Sequence, residues 1–230
     1  PRNLKATDDG YPTTFYVETV LACNLRCPEC SIGSEATTRK RGIMSRHDFD
    51  IIVKKIKPYA RLVYLHKWGE PTMNPELDYF VSRVSEFCHS HIMTNGLLLD
   101  ESKIKSLLKA GLGTLIFSID GTTQEVYEKY RVGGKCEDAW KNIIVARNLI
   151  EKYQAKTDLI AQLIVFKHNE QQVDEFVSKC KELKIRYYLR TAYIRFGSVD
   201  VPDNPEYRRE AYSNKEDHFA AMQKCAFLDR

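Results

Sequence analysis

Cys23, Cys27 and Cys30 sit within one short stretch, Cys-Asn-Leu-Arg-Cys-Pro-Glu-Cys. Three thiolates on one loop can hold three corners of a cubane iron–sulfur cluster and leave one iron open. A closed structural zinc site wants a fourth Cys or His nearby, and the nearest histidine, His47, lies well downstream on a helical pattern. A ferredoxin-type electron-transfer site uses four cysteines, one more than this loop supplies. The other cysteines, Cys88, Cys136, Cys180 and Cys225, are scattered, and the total of 7 is odd. A disulfide framework would spread an even set through a short secreted chain. Cys88 and Cys180 read as inert thiols on apolar helical faces.

Four further segments carry polar or backbone-permissive residues in short runs. They are Trp68-Gly69-Glu70-Pro71, Thr94-Asn95-Gly96, Ser118-Ile119-Asp120-Gly121 and Tyr130-Arg131-Val132-Gly133-Gly134. Each has an ordinary reading: a Gly-Pro turn with a surface carboxylate, an Asn turn, an Asp-Gly turn and a solvated helix-end charge.

What positions them is an alternation of short β-branched runs with longer amphipathic ones. The pattern predicts strands at 14–20, 61–67, 89–93, 114–119, 158–166 and 186–194. It predicts helices at 46–57, 75–87, 101–110, 124–130 paired with 137–153, and 171–183. Ser45 and Asp100 serve as N-caps, Asn74 caps a helix with Pro75 at its first position, and Gly111 is a helix stop. Strict βα alternation implies a parallel sheet with right-handed crossovers. Six units fit either a doubly wound sheet or an incomplete barrel. A closed eight-unit barrel needs about 250 residues, so the expected fold is α/β, a partial (β/α)6 TIM-type barrel of parallel strands. In both architectures chemistry sits at the carboxyl ends of the strands. The cysteine loop follows strand one, and the motifs at Gly69, Asn95 and Asp120 follow strands two, three and four, so all share one rim.

The cysteine loop, placed directly after a first strand, resembles the signature loop of the radical S-adenosylmethionine superfamily, and the resemblance runs from Phe15 to about Ile194. One departure is Pro28 after the second cysteine, where the family often has an aromatic residue. Trp68-Gly69-Glu70-Pro71 resembles the family's Gly-Gly-Glu-Pro motif, with Trp for the first Gly. The Ser118–Gly121 and Arg131–Gly134 segments resemble those of the SPASM/twitch subgroup, which includes anaerobic sulfatase maturases and peptide-modifying enzymes, and Thr94-Asn95-Gly96 also matches it. The resemblance implies a [4Fe-4S] cluster on Cys23, Cys27 and Cys30, with S-adenosylmethionine chelating the open iron and cleaved reductively to a 5′-deoxyadenosyl radical. It implies that Gly69, Glu70 and Pro71 form the turn that accepts from the methionine ammonium. Ser118 and Arg131 would reach its carboxylate or ribose; Arg matches a carboxylate bidentately. Asn95 either donates to the ribose or caps a turn, Asp120 is a site residue or a turn residue, and Val165 either packs the adenine or belongs to the core. A peptide or small polar metabolite is the implied substrate, and a flavodoxin or ferredoxin the one-electron donor. A glycyl-radical-enzyme activase is the alternative within the superfamily, and the strand-four pattern speaks against it. Outside the resemblance, either His66 or Lys67 must face the barrel interior, and an inward Arg190 could bind an anionic substrate.

Composition narrows the partners. The chain of 230 residues carries a net charge of +4, too mild to argue for nucleic acid. No apolar run is long enough to span a membrane, and the polar N-terminus lacks an apolar signal core, so the expected location is cytoplasmic. The basic run Arg39-Lys40-Arg41 reads as a solvated loop. Residues 1–13 read as an N-terminal extension, 14–196 as the barrel, and 197–230 as a linker and the start of a C-terminal auxiliary region. In the resembled subgroup a cysteine placed like Cys225 opens an extension for auxiliary clusters, which this chain would lack; Cys225 could equally be a plain thiol on a terminal helix.

Overall fold

The computed structural model describes residues 10–208. Its six strands are β1 (Thr14–Tyr16), β2 (Leu62–Tyr64), β3 (His89–Thr94), β4 (Thr114–Ser118), β5 (Asp158–Val165) and β6 (Arg186–Thr191). They form one sheet in sequential order, with every neighbouring pair parallel. The order never reverses, so there is no switch point of a doubly wound sheet. Among the described residues β1 pairs only with β2 and β6 only with β5, and the ring is open. The architecture is the partial (β/α)6 barrel.

The crossovers carry α1 (Arg46–Ile56), α2 (Leu77–Ser85), α3 (Glu101–Lys109), α4 (Gln124–Tyr130), α5 (Cys136–Tyr153) and α6 (Val173–Glu182). Ser45 and Asp100 cap α1 and α3 by accepting from the Asp48 and Lys103 amides. Gly111, at φ +83°, turns the chain out of α3. The expected start of α2 is corrected: Asn74 accepts from the Glu76 amide at 2.8 Å and donates to the Thr19 and Met44 carbonyls, so it clasps two loops and the helix begins at Leu77. Cys88 likewise lies beyond α2, in the turn into β3. Cys180 is buried on α6 as expected.

Several strands end earlier than their apolar runs. β1 stops at Tyr16, and Val20 makes only an isolated antiparallel bridge to Ile43. The run continues because Val17, Val20 and Leu21 are buried in the loop that leaves the strand. Segment 198–208, expected as a linker, packs back on the barrel. Lys167 N donates to Asp200 O at 3.1 Å, Asn204 N to Glu170 at 3.0 Å, and Val199 and Val201 cover a small cluster around Leu25, Phe166 and Ile194. The helical pattern at 215–224 and Cys225 lie outside the described residues.

The two faces of the sheet differ in chemistry. Ile92, Leu115, Phe117, Leu163 and Val165 point into the helical layer, against Phe80, Ile104, Ile143 and Phe176. Full burial of each such side chain contributes about 1.5–3 kcal/mol. The alternate positions Met93, Ser118, Gln162, Ile164 and Arg190 line a cavity instead. A closed barrel of this type fills its centre with branched apolar residues. Here the strands present polar groups inward and leave space, which is what a cofactor pocket requires.

Candidate functional site

The cavity, about 290 Å³, opens at the carboxyl ends of the strands. Cys23, Cys27 and Cys30 all line it and all are free thiols. Their loop has little regular structure of its own and is held from several sides. Arg26 N donates to Val132 O at 3.0 Å, Glu70 N to Ala22 O at 2.8 Å, and Asn95 Nδ2 to Asn24 Oδ1 at 2.8 Å. Gly69 makes this possible: a Cβ there would stand 2.0 Å from the Val20 carbonyl oxygen, so only glycine lets the loop after β2 lie against the stem of the cysteine loop.

Glu70 also lines the cavity, and its carboxylate is heavily engaged. One oxygen accepts from Thr72 N at 3.1 Å, Thr72 Oγ1 at 2.6 Å and Thr94 Oγ1 at 2.7 Å; the other accepts from Asn95 N at 2.8 Å. The second oxygen keeps room for one more donor. Asn95 serves two purposes: its Oδ1 accepts from Leu97 N in a turn, and its Nδ2 faces Asn24 and, at 3.9 Å, the Cys23 sulfur. Pro71 is buried at the start of a short 3-10 turn and is not on the cavity wall.

Arg131 lines the cavity beside the cysteines. Its Nε donates to Asp120 at 2.6 Å and its guanidinium stands 3.8 Å from Cys27 Sγ. Asp120, wholly buried, does not reach the cavity; it also accepts from Ile164 N at 2.7 Å and thus braces β5 and Arg131 together. Burial opposes the Arg131 charge, but Asp120 and Cys27 outweigh it and hold the side chain firmly protonated. Ser118 is on the wall, 3.4 Å from Gln162 Nε2. Val165 is not: the two-residue period of β5 sends it into the helical core and puts Gln162 and Ile164 on the cavity side. The adenine-packing expectation for Val165 is therefore corrected, with Ile164 the apolar residue of β5 on that wall.

Two buried groups have partners that the sequence does not reveal, although His66 is one of the two residues expected to face inward. Glu29, inside the cysteine loop, accepts from the backbone of Arg195 and Phe196 at 2.6 Å each and of Ser198 at 2.5 Å. It pins the segment after β6 to the cysteine loop, and its only sequence trace is a carboxylate between two cysteines. His66 faces the cavity while Lys67 stands at its exposed edge. Burial, then the neighbouring His91, drives the His66 pKa down to about 4. The His66 Nδ1 stands 3.3 Å from the His91 carbonyl but 3.0 Å from Met93 N, an amide that can only donate; with that closer bond made, the proton of the neutral ring is on Nε2.

The three thiols suit a thiolate-bound cluster. Among the described residues no three His, Cys, Asp or Glu side chains converge on one point. Thiolates on a cubane each bind a different iron and need not converge. Burial pushes the Cys27 thiol up to about 12 and also raises Cys23, so neither is a ready thiolate on its own. Leu25 N at 3.4 Å from Cys23 Sγ, Asn95 Nδ2 and the Arg131 guanidinium all offer hydrogens toward sulfur, a donor set suited to anionic thiolates.

Fold and site together define a partial α/β barrel built around a thiolate-lined cofactor cavity. The sequence profile of the Radical SAM superfamily matches residues 17–180, and the chain belongs to that superfamily. The family uses a [4Fe-4S] cluster and S-adenosylmethionine, and its members are enzymes. The chain is 27% identical over 173 residues to a PqqA peptide cyclase of Gluconobacter oxydans, covering 75% of this chain and 47% of the relative. It is 29% identical over 133 residues to a probable GTP 3′,8-cyclase of Methanococcus maripaludis, covering 56% and 44%. The chain spans about half the length of the curated relatives it matches. In fold it is similar to Streptococcus suis SuiB bound to the precursor peptide SuiA, with TM-score 0.68, 16% identity, and 96% of this chain and 47% of that one covered.

Proposed function

We propose that this chain is the catalytic barrel of a radical S-adenosylmethionine enzyme that abstracts hydrogen from a peptide or small polar metabolite. The observation that carries the reading is that three thiols line one cavity together with Gly69, Glu70, Asn95, Ser118 and Arg131, at the carboxyl ends of the strands. Cys23, Cys27 and Cys30 would hold the cluster. When bound, the cluster and S-adenosylmethionine supply a 5′-deoxyadenosyl radical. The residues of this chain bind and orient. Glu70 offers its remaining acceptor site to the methionine ammonium, Ser118 offers its hydroxyl to the carboxylate or ribose, and Arg131 adds positive charge beside Cys27. Ile164 and Phe166 give the same cavity an apolar wall. A peptide substrate is supported by the peptide-cyclase relative and the SuiA-bound neighbour.

Anaerobic reconstitution followed by iron and sulfide analysis and a binding titration with S-adenosylmethionine tests this. The expected result is about four irons per chain, saturable S-adenosylmethionine binding, and loss of both in Cys23→Ala, Cys27→Ala and Cys30→Ala but not Cys180→Ala. Iron without S-adenosylmethionine binding would indicate an electron-transfer protein and refute the proposal.

A further inference from the structure

The charges around the cavity do not balance. Its wall holds two carboxylates, Glu29 and Glu70, against Lys67, Arg131, Arg190 and Arg195. Both carboxylates are engaged by protein donors, three backbone amides on Glu29 and the two threonines and Asn95 on Glu70. Two of the cations are also occupied. Arg131 is paired with the buried Asp120. Arg195 donates to Ser31 Oγ at 3.0 Å and lies over the Trp68 ring, 5.5 Å from its centroid. Lys67 and Arg190 are different: among the described residues neither has a carboxylate partner or a hydrogen bond.

Both side chains reach solvent, yet both border the cavity. Arg190 lies on β6 in register with Ile164, on the inward face, one pleat beyond the Tyr188 hydroxyl that donates to Gln162. It therefore sits across the open barrel from His66, and its charge helps to keep the His66 ring neutral, after burial and His91. His66 in turn presents a donor, because Met93 N occupies its Nδ1 and leaves the hydrogen on Nε2. The Gln162 amide is neutral, and its oxygen accepts from Tyr188, so it brings these cations no counter-charge. The cavity wall thus offers a guanidinium and an ammonium with no carboxylate partner among the described residues, and an imidazole N–H. Such a set matches an oxyanion in shape and charge.

We propose that Arg190 and Lys67, with the Nε2–H of His66, bind an oxyanion of the substrate, a carboxylate or a phosphate. The inference deepens the reading of the cavity as a radical S-adenosylmethionine site and rests on it for calling the bound anion substrate. In that reading the S-adenosylmethionine contacts are assigned to Glu70, Ser118 and Arg131, which leaves these groups for another ligand. The anion would be held between the sixth strand and the segment that follows the second.

Calorimetric titration of the reconstituted protein tests the site, using inorganic pyrophosphate and glutarate as probes, with uncharged glutaramide for comparison. Each titration is run with and without saturating S-adenosylmethionine. One of the two anions is expected to bind saturably and glutaramide not at all, and which anion binds identifies the oxyanion. Arg190→Gln should weaken that binding about tenfold or more, the equivalent of one charge-assisted hydrogen bond. Lys67→Gln should weaken it by a smaller factor, as befits an exposed ammonium. Arg186→Gln, on the same strand but paired with Asp158 at its other end, should change nothing. Both site variants should bind S-adenosylmethionine as the parent does. Absence of binding by either anion, or equal affinity in the parent and Arg190→Gln, overturns the anion site. Failure of S-adenosylmethionine to bind the parent overturns the cofactor reading, and the anion titrations without S-adenosylmethionine still decide the anion site.

Discussion

Replacing Glu70 with Gln should destabilise the protein well beyond what the loss of one ligand contact would imply. The two carboxylate oxygens each meet a backbone amide that can only donate: Thr72 N on one and Asn95 N on the other. A Gln side chain has one oxygen and one NH2 group, so whichever way it is turned its NH2 group faces an N–H. The Thr72 and Thr94 hydroxyls can rotate, but the amides cannot. One buried donor is left unsatisfied, at about 1–3 kcal/mol, and the surviving bonds drop from charge-assisted to neutral strength. A total near 3 kcal/mol is expected. Anaerobic urea unfolding of the iron-free protein, followed by circular dichroism, measures it without any cofactor. Glu151→Gln, at an exposed and loosely paired site, should stay within about 0.5 kcal/mol of the parent. A Glu70→Gln variant as stable as that control would show that the loop after β2 is not braced through its carboxylate.

Three further outcomes follow from the same contacts. Arg131→Ala leaves Asp120 buried and unpaired, and should cost about 3–5 kcal/mol in the same unfolding assay; pairing it with Asp120→Asn should recover part of the loss, and no recovery would argue against the pair. Gly69→Ala puts a Cβ against the Val20 carbonyl and should lower iron loading while the far-ultraviolet spectrum persists, so normal iron loading would refute the close approach. His66, with its pKa depressed to about 4 by burial, opposes folding when protonated, so its contribution is complete above about pH 6.5 and is lost as pH falls toward 4. The loss is about 3 kcal/mol, and His66→Gln should flatten the acid limb of the stability profile in that window, where parallel profiles would count against a buried neutral ring.

The sequence reveals the order and type of the strands because each β-branched run is also a buried strand, and the helices because caps such as Ser45 and Asp100 act within a few residues. Strand ends are less legible. The apolar residues after Tyr16 are buried by a loop, and burial by a loop and by a ladder leave the same apolar letters. The motif residues that line the cavity are those with a local backbone reason to be where they are, as Gly69 has. Val165 misleads because a single apolar residue on a strand carries no mark of which face it occupies; the polar side chain of Gln162 sets the inward face for the whole strand. Glu29 and the partners of His66 are unreadable for another reason. The partners of the two, residues 195–198 and Met93, are distant in sequence, and backbone amides are the same at every position.

That last point explains how an open barrel keeps a defined mouth. Three buried carboxylates each brace a different part of the rim through backbone amides. Glu29 ties the cysteine loop to the segment after β6, Glu70 ties the loop after β2 to the end of β3, and Asp120 ties β4 to β5 and to Arg131. Because β1 and β6 do not pair, no ladder closes the ring between the cysteine loop and the last strand. Glu29 supplies that link with three amide contacts where a closed barrel would have sheet hydrogen bonds. Such contacts hold position without filling space, so the centre stays free for ligands while the cysteine loop and Arg131 are held in place. Buried acids of the rim therefore hold the loops to one another, and the cations Lys67 and Arg190 are left to face what enters.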